Sequence, residues 1–126
     1  SHLVTCTPEA HDRAVAWISH LPVMVSAGLI NACLHETDPG ILDLAQQLAS
    51  SGFKDTSRVG GGVPELGVLM AKYNQAEVVR SLHQYRDQID SLITMIESSN
   101  WQALTTYLHQ AQHVRPTFLN SDQTPC

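Results

Sequence analysis

The strongest constraint on the fold is a regular spacing of apolar side chains between residues 78 and 96. They recur at intervals of 4, 3, 4, 3 and 4 residues, at Val78, Leu82, Tyr85, Ile89, Leu92 and Ile96. This spacing aligns the side chains on one face of an α-helix for nearly three heptads. Two roles for this face remain open: the core helix of a single chain, or a helix that also packs against a second copy.

Other helices are predicted by capping residues, prolines and apolar periodicity. Thr7-Pro8 and Asp38-Pro39 each place a capping side chain ahead of a proline that suits the first helical turn. Further helices are expected to open at Pro64 and near Asn74 and Asn100. Because no alternating strand pattern follows residue 7, we predict an all-α domain of five to six helices.

Other segments are expected to interrupt or bound these helices. Leu3 to Cys6 is short and apolar, which is typical of a strand end. The first long helix reaches about His35 and is expected to break at Pro22, because an interior proline costs a helix about 3 kcal/mol. Residues 52–63 are expected to form a loop, and Arg115-Pro116 is expected to end the last helix.

The composition narrows the class of protein. The 126 residues carry a formal net charge of −5 and are 43% hydrophobic, which is typical of a globular domain and argues against a nucleic-acid or anionic-membrane partner. No uninterrupted apolar run reaches the roughly 18 residues of a membrane span, and the start lacks a signal-peptide pattern. Cys6, Cys33 and Cys126 form no CxxC pair, so we expect reduced thiols and a cytoplasmic location.

A cluster of polar residues precedes the proline of the first long helix. Asp12, Ser19 and Val23 fall on nearly one face, because seven residues span close to two turns. A proline cannot donate to the carbonyl four residues back, so a bend there could turn Ser19 and His20 toward a cleft. The alternative interpretations are a partly buried helix histidine and, for His11 and Asp12, a solvated pair in the first turn.

A second polar cluster occupies residues 54–58. Lys54 and Asp55 carry opposite charges, and two hydroxyl residues separate them from Arg58. The planar guanidinium of Arg58 suits a carboxylate or a phosphate. The alternative is a solvated loop arginine.

Two further patterns predict neither a phosphate site nor a metal site. Gly60, Gly61 and Gly62 match no phosphate-binding motif, and we predict instead that they let the backbone approach a ligand or a neighbour closely. His109 and His113 lie one helical turn apart but have no third ligand, so no metal is predicted.

Two motifs together resemble the C-terminal helical domain of the prephenate/arogenate dehydrogenase family. The first is His11-Asp12 followed after six residues by Ser19-His20-Leu21-Pro22, and the second reads Gly-Phe-Lys-Asp-Thr-Ser-Arg-Val over residues 52–59. Pro64 and Asn74 follow them in the family's order. The resemblance covers roughly residues 3–119, and residues 16–24 are most similar to the cyanobacterial type of arogenate dehydrogenase. It implies an all-α, dimerising fold like the C-terminal domain of 6-phosphogluconate dehydrogenase.

The resemblance implies that this domain places the substrate. Arg58 would pair with a carboxylate of arogenate or prephenate and so orient the ring for hydride transfer. The pocket would be lined by Ser19, His20 and Val23. Supporting positions would be His11, Asp12, Lys54 and Asp55. Prephenate-preferring members of the family usually carry histidine where this chain has Val23. This difference favours arogenate as the substrate.

The resemblance also implies functions that lie outside this chain. Family members hold the catalytic histidine and the cofactor, NADP in the cyanobacterial type, mainly in a preceding nucleotide-binding domain. This sequence has no strand–GxGxxG–helix unit. Residues 1–7 would then end that domain or form a linker, residues 8–119 would be the substrate-binding and dimerisation domain, and residues 120–126 a frayed tail. The isolated chain is expected to be inactive.

A competing hypothesis is a stand-alone helical module without catalytic activity. Its only function would be self-association through the apolar faces of Val78–Ile96 and Trp101–Val114. This hypothesis requires none of the polar residues that carry the family resemblance.

Overall fold

A computed structural model describes the backbone of residues 2–3, 5–119 and 123–124 and the side chains of residues 5–119. The elements are β1 (His2–Leu3), α1 (Pro8–Val15), a π-helical segment (Ala16–His20), α2 (Leu21–Cys33), α3 (Pro39–Leu48), α4 (Ser51–Ser57), a 3₁₀ turn (Val59–Gly61), α5 (Pro64–Tyr73), α6 (Gln75–Glu97), α7 (Trp101–Val114), a second 3₁₀ turn (Arg115–Phe118) and β2 (Gln123–Thr124). Residues 12–81 form one compact unit, and the flanking described residues form another.

The all-α prediction is confirmed, and so are most of the predicted helix starts. The backbone N–H of Ala10 donates to Thr7 Oγ1 at 3.1 Å, ahead of α1. Asp38 accepts from the N–H two residues on, at 2.9 Å, and Asn100 accepts from the N–H three residues on, at 3.1 Å. Pro64 opens α5 as expected. These side chains satisfy amides that the first helical turn leaves without a partner.

The predicted break at Pro22 is wrong. The helix continues from Pro8 to Cys33, and a π-helical segment accommodates the proline. The N–H of Leu21 donates to the carbonyl of Ala16, five residues back rather than four. A π segment inserts one extra residue, so the helix shifts its hydrogen-bond register just ahead of the proline, which has no N–H to donate.

The continuous helix from Pro8 to Cys33 bears on the expectation that the chain has no membrane span. Pro8–Cys33 contains an 18-residue window of mean hydropathy 1.4, so it is long and apolar enough to cross a membrane by length and composition alone. Within the described chain, 17% of that window is buried. α2 lies against α4 and the first 3₁₀ turn, and its buried residues are Leu21 and Ser26.

The predicted loop over residues 52–63 is wrong in its first half. Residues Ser51–Ser57 form α4, in which the N–H of Lys54 donates to the carbonyl of Ser50 at 2.9 Å. Glycine is common just after a helix, so Gly52 suggests a helix end. Instead α3 ends earlier, at Leu48, and Gly52 lies in the first turn of the next helix.

The chain ends differ in part from expectation. Of the predicted strand over residues 3–6, Leu3 belongs to β1, which pairs in parallel with β2; residue 4 lies outside the described residues. Within the predicted frayed tail, residues 120–122, 125 and 126 also lie outside them.

Cys6 is disulfide-bonded, so the expectation of reduced cysteines is wrong there, whereas Cys33 is free. The cytoplasmic location stays a prediction.

The apolar face of α6 is mostly uncovered in the single chain. Val78 is 3% exposed, whereas Leu82, Tyr85, Ile89 and Ile96 are 36–51% exposed. Amphipathic helices of a globular chain usually turn their apolar stripe toward its core. Only the N-terminal end of this face does so.

The end of α6 contains a strained residue. Ser99 has φ 54°, in the left-handed region that favours glycine. Its N–H donates to the carbonyl of Ile96 at 3.0 Å, and the next N–H donates to that of Met95 at 2.8 Å. This pair of bonds is the Schellman motif, whose left-handed position is usually glycine.

We expect Ser99→Gly to stabilise the protein. A left-handed non-glycine residue costs about 1–2 kcal/mol, and the added freedom of glycine in the unfolded chain offsets about 0.4–1 kcal/mol of the gain. The measurement is the denaturant midpoint of unfolding. Ser98→Gly is the control and should destabilise, because Ser98 has negative φ and its Oγ donates to the Thr94 carbonyl at 2.8 Å.

Candidate substrate site

Two of the predicted site residues are joined by a third side chain, Asn74. Its Nδ2 donates to the backbone carbonyl of Asp12 at 2.8 Å and lies 3.2 Å from Nδ1 of His20. Asn74 is half-buried, at the junction of α5 and α6. The side chain therefore ties that junction to α1, through Asp12, and to the last residue of the π segment, His20.

These contacts determine how His20 presents its ring. A carbonyl oxygen only accepts, so the Asp12 contact requires the Asn74 amide nitrogen at this position. The nitrogen then donates its second hydrogen to His20 Nδ1, which must be the acceptor. In the neutral ring the proton lies on Nε2, so His20 offers an N–H donor on the side away from Asn74.

We expect neutral His20 and neutral His35 to show opposite tautomers. His35 Nδ1 lies 2.8 Å from the carbonyl of Asn31, so that nitrogen donates. Long-range ¹⁵N–¹H spectra at alkaline pH should place the His20 proton on Nε2 and the His35 proton on Nδ1. Asn74→Ala should leave a tautomer mixture at His20 alone. A protonated Nδ1 at neutral His20 in the unmodified protein would contradict the assignment.

Val23 lies in the wall of an open apolar cavity of about 350 Å³ between α2, the first 3₁₀ turn and α5. Its neighbours in the lining include Met24, Val59, Gly60 and Pro64. Val23 follows His20 by three residues on the same helix, a spacing that makes them neighbours on one face. The residue that the sequence singles out for substrate preference thus lies one helical turn from His20.

Arg58 lies between α4 and the 3₁₀ turn, directly before Val59 of the cavity wall. It is exposed, and none of the described residues forms an ion pair with it. Its guanidinium donors are therefore available to an external anion. Lys54 and Asp55 are exposed on α4, likewise without an ion-pair partner in the described chain.

The remaining predicted site residues lie along the first helix. Ser19 is half-buried in the π segment, and His11 and Asp12 are in α1. The structure connects Asp12 to His20 through Asn74. The elements that carry them place Ser19, Val23, Lys54, Asp55 and Arg58.

Two residues that the sequence did not indicate as site residues hold the segment around Arg58. Ser26 is 2% exposed, and its Oγ donates to the carbonyl of Thr56 at 2.7 Å and accepts from the N–H of Gly60 at 2.8 Å. A Cβ added to Gly60 would overlap the backbone nitrogen of Ala27. The predicted close approach of a glycine to a neighbour is therefore confirmed for Gly60, and the neighbour is α2.

A family model described as prephenate dehydrogenase, dimerization domain, matches residues 7–110. The chain belongs to this family. The prephenate dehydrogenase family resemblance found in the two sequence motifs is thereby confirmed, and so is the helical fold that it implies.

Individual members of the prephenate dehydrogenase family match over most of this chain. Prephenate dehydrogenase of Bacillus subtilis (strain 168) is 26% identical over 115 residues, which cover 91% of this chain and 30% of that protein. The crystal structure of Synechocystis arogenate dehydrogenase superposes with a TM-score of 0.91 at 57% identity, covering 93% of this chain and 42% of that one. The crystal structure of prephenate dehydrogenase from A. aeolicus in complex with hydroxyphenyl propionate and NAD+ superposes with a TM-score of 0.79 at 25% identity. The match covers 90% of this chain and 39% of that one. The chain thus spans less than half the length of each relative.

The described residues do not fit a dinucleotide or a metal ion. A dinucleotide site of the Rossmann type requires parallel strands with a glycine-rich turn before a helix, and residues 5–119 are helices and turns. No group of three His, Cys, Asp or Glu side chains in the described part of the chain could hold a metal.

Proposed function

We propose that this chain is the C-terminal substrate-binding and dimerisation domain of an NADP-dependent arogenate dehydrogenase, which acts in tyrosine biosynthesis. The observation that carries the proposal is the 57% identity to Synechocystis arogenate dehydrogenase over 93% of the chain. The apolar Val23 supports arogenate over prephenate as the substrate. The proposed reaction is an oxidative decarboxylation, in which the nicotinamide accepts the hydride, the ring carboxylate leaves as carbon dioxide and the ring becomes aromatic.

Each site residue has a defined part in this proposal. Arg58 holds a substrate carboxylate through charge-assisted hydrogen bonds, for which its guanidinium is available because no described residue forms an ion pair with it. His20 presents its Nε2–H to a polar group of the substrate, with Asn74 and Asp12 fixing the ring. Val23 gives the wall an apolar surface, and Ser19 lies beside His20. His11, Lys54 and Asp55 stay supporting positions.

The test of the proposal is a comparison of substrates and cofactors in the complete enzyme that carries this chain. We expect kcat/KM to favour arogenate over prephenate, and NADP over NAD, each by about tenfold or more. Val23→His should narrow the preference for arogenate, whereas Val68→His in the same cavity should leave it unchanged. A preference for prephenate in the unmodified enzyme would overturn the substrate assignment.

We also propose that the domain forms a homodimer through the apolar face of α6. The family description names a dimerization domain, and most of this face is uncovered in one chain. Obligate dimer interfaces resemble a domain core cut in half, so they are apolar when the partner is removed. Packing against a second copy, the second role left open by the sequence, would cover this surface.

Sedimentation at micromolar concentration tests the dimer. We expect the protein to sediment at twice its chain mass, and Ile89→Asp to shift it toward the monomer because a charge would be buried without a partner. His83→Asp places the same charge on an exposed position of α6 outside the apolar face and should leave the dimer intact. Monomeric unmodified protein would contradict the proposal.

A further inference from the structure

One buried hydroxyl holds both sides of the segment that carries Arg58. The carbonyl of Thr56 and the N–H of Gly60 both bond Ser26 Oγ, at 2.7 and 2.8 Å. These two residues lie two positions before and two positions after Arg58. The hydroxyl uses its one hydrogen on the first and a lone pair on the second.

The segment 56–60 is held against α2 by tight backbone packing as well as by these hydrogen bonds. Gly60 packs against the backbone of α2 with no room for a side chain, and an added Cβ would lie 2.6 Å from Ser26 Oγ. Residues 56–60 are therefore fixed to α2 at both ends, and the Arg58 backbone between them has a helical conformation, φ −57° and ψ −50°. Exposed arginine side chains have many rotamers, so a fixed backbone removes part of the ordering cost of binding.

A second buried serine shows what is particular to Ser26. Ser81 is 1% exposed, but its Oγ donates to the carbonyl of Val78 within its own helix, at 2.8 Å. Ser26 bonds residues 30 and 34 positions away. The two serines have nearly the same burial and differ in whether their hydroxyl connects separate elements.

We propose that Ser26 is a positioning residue for Arg58: its hydroxyl fixes the backbone segment that presents the guanidinium to the substrate carboxylate. The inference rests on the proposed substrate-binding role of Arg58. Ser26 itself does not touch the substrate. Its loss allows residues 56–60 to move away from α2, which would weaken the contact between the Arg58 guanidinium and the substrate carboxylate and so raise KM.

The test is a double-mutant cycle in the complete enzyme, measured as kcat and KM for arogenate. We expect Ser26→Ala to raise KM about tenfold or more while kcat stays within about twofold. Ser81→Ala is the matched control and should change KM less than about twofold. In an Arg58→Ala background, Ser26→Ala should add less than about twofold, because the group that it positions is gone.

The outcomes separate this proposal from the proposed function. An unchanged KM in Ser26→Ala, or the same factor in both backgrounds, overturns the role of Ser26 while a large effect of Arg58→Ala alone still supports substrate binding. An unchanged KM in Arg58→Ala alone overturns both. If Ser26→Ala does not fold, hydrogen exchange of the unmodified enzyme decides: the Gly60 amide should be protected, and exchange at an unprotected rate overturns the attachment.

Discussion

Replacing Arg58 with alanine should raise KM for arogenate about 10- to 100-fold in the complete enzyme. Hydrogen bonds to charged groups contribute about 1.5–3 kcal/mol, which corresponds to this range. The structure supports a large effect because no described residue pairs with the guanidinium, so the substrate carboxylate would be its partner. Arg58→Lys should recover only part of the loss, since an ammonium group cannot make the planar, two-point contact.

The control for Arg58 is the neighbouring cation on α4. Lys54 is also exposed and also without an ion pair in the described chain. Lys54→Ala should change KM by less than about fivefold, since exposed charge pairs contribute about 0.2–1 kcal/mol. Equal effects of the two alanine variants would mean that the enzyme senses only the net positive charge of this surface.

Replacing Gly60 with alanine should strongly destabilise the domain. An added Cβ would overlap the backbone of α2 at Ser26 and Ala27, and backbone cannot move aside as a side-chain tip can. Overpacking of this kind costs about 1–3 kcal/mol and occasionally more. We expect a fall in the melting temperature of roughly 5–15 °C, measured by calorimetry.

Gly61 provides the matched control in the next position of the chain. A Cβ built there has nothing within 4 Å, and no described glycine has a positive φ. Gly61→Ala should therefore be neutral or should stabilise by up to about 1 kcal/mol, because alanine restricts the unfolded chain. A Gly60→Ala variant as stable as Gly61→Ala would show that the turn does not pack against α2.

Local chemistry accounts for what the sequence predicted well. The caps at Thr7 and Asp38 involve residues two or three positions apart, so their bonds follow from neighbouring residue types alone. The apolar spacing of α6 is likewise a property of one helix. In each case the residues concerned are close neighbours in the sequence, and the helical repeat fixes where their side chains lie relative to one another.

The errors arise where two local rules compete or where the partner is distant. At Pro22 the rule that proline ends a helix is overridden by a register shift in the π segment. At Gly52 a glycine that suits a helix end lies in a first turn instead. Ser26 gives no local indication of its role, because its two partners lie 30 and 34 residues away, in α4 and in the first 3₁₀ turn.

The π segment sets an angle between the two ends of the first helix. Each residue of an α-helix turns the chain by about 100°, so deleting one residue among positions 16–18 would rotate the helix before the segment by about that amount. The Asp12 carbonyl would then no longer face Asn74, although no residue of the proposed pocket had been changed. Insertions and deletions in this short stretch should therefore be tolerated far less well than substitutions there.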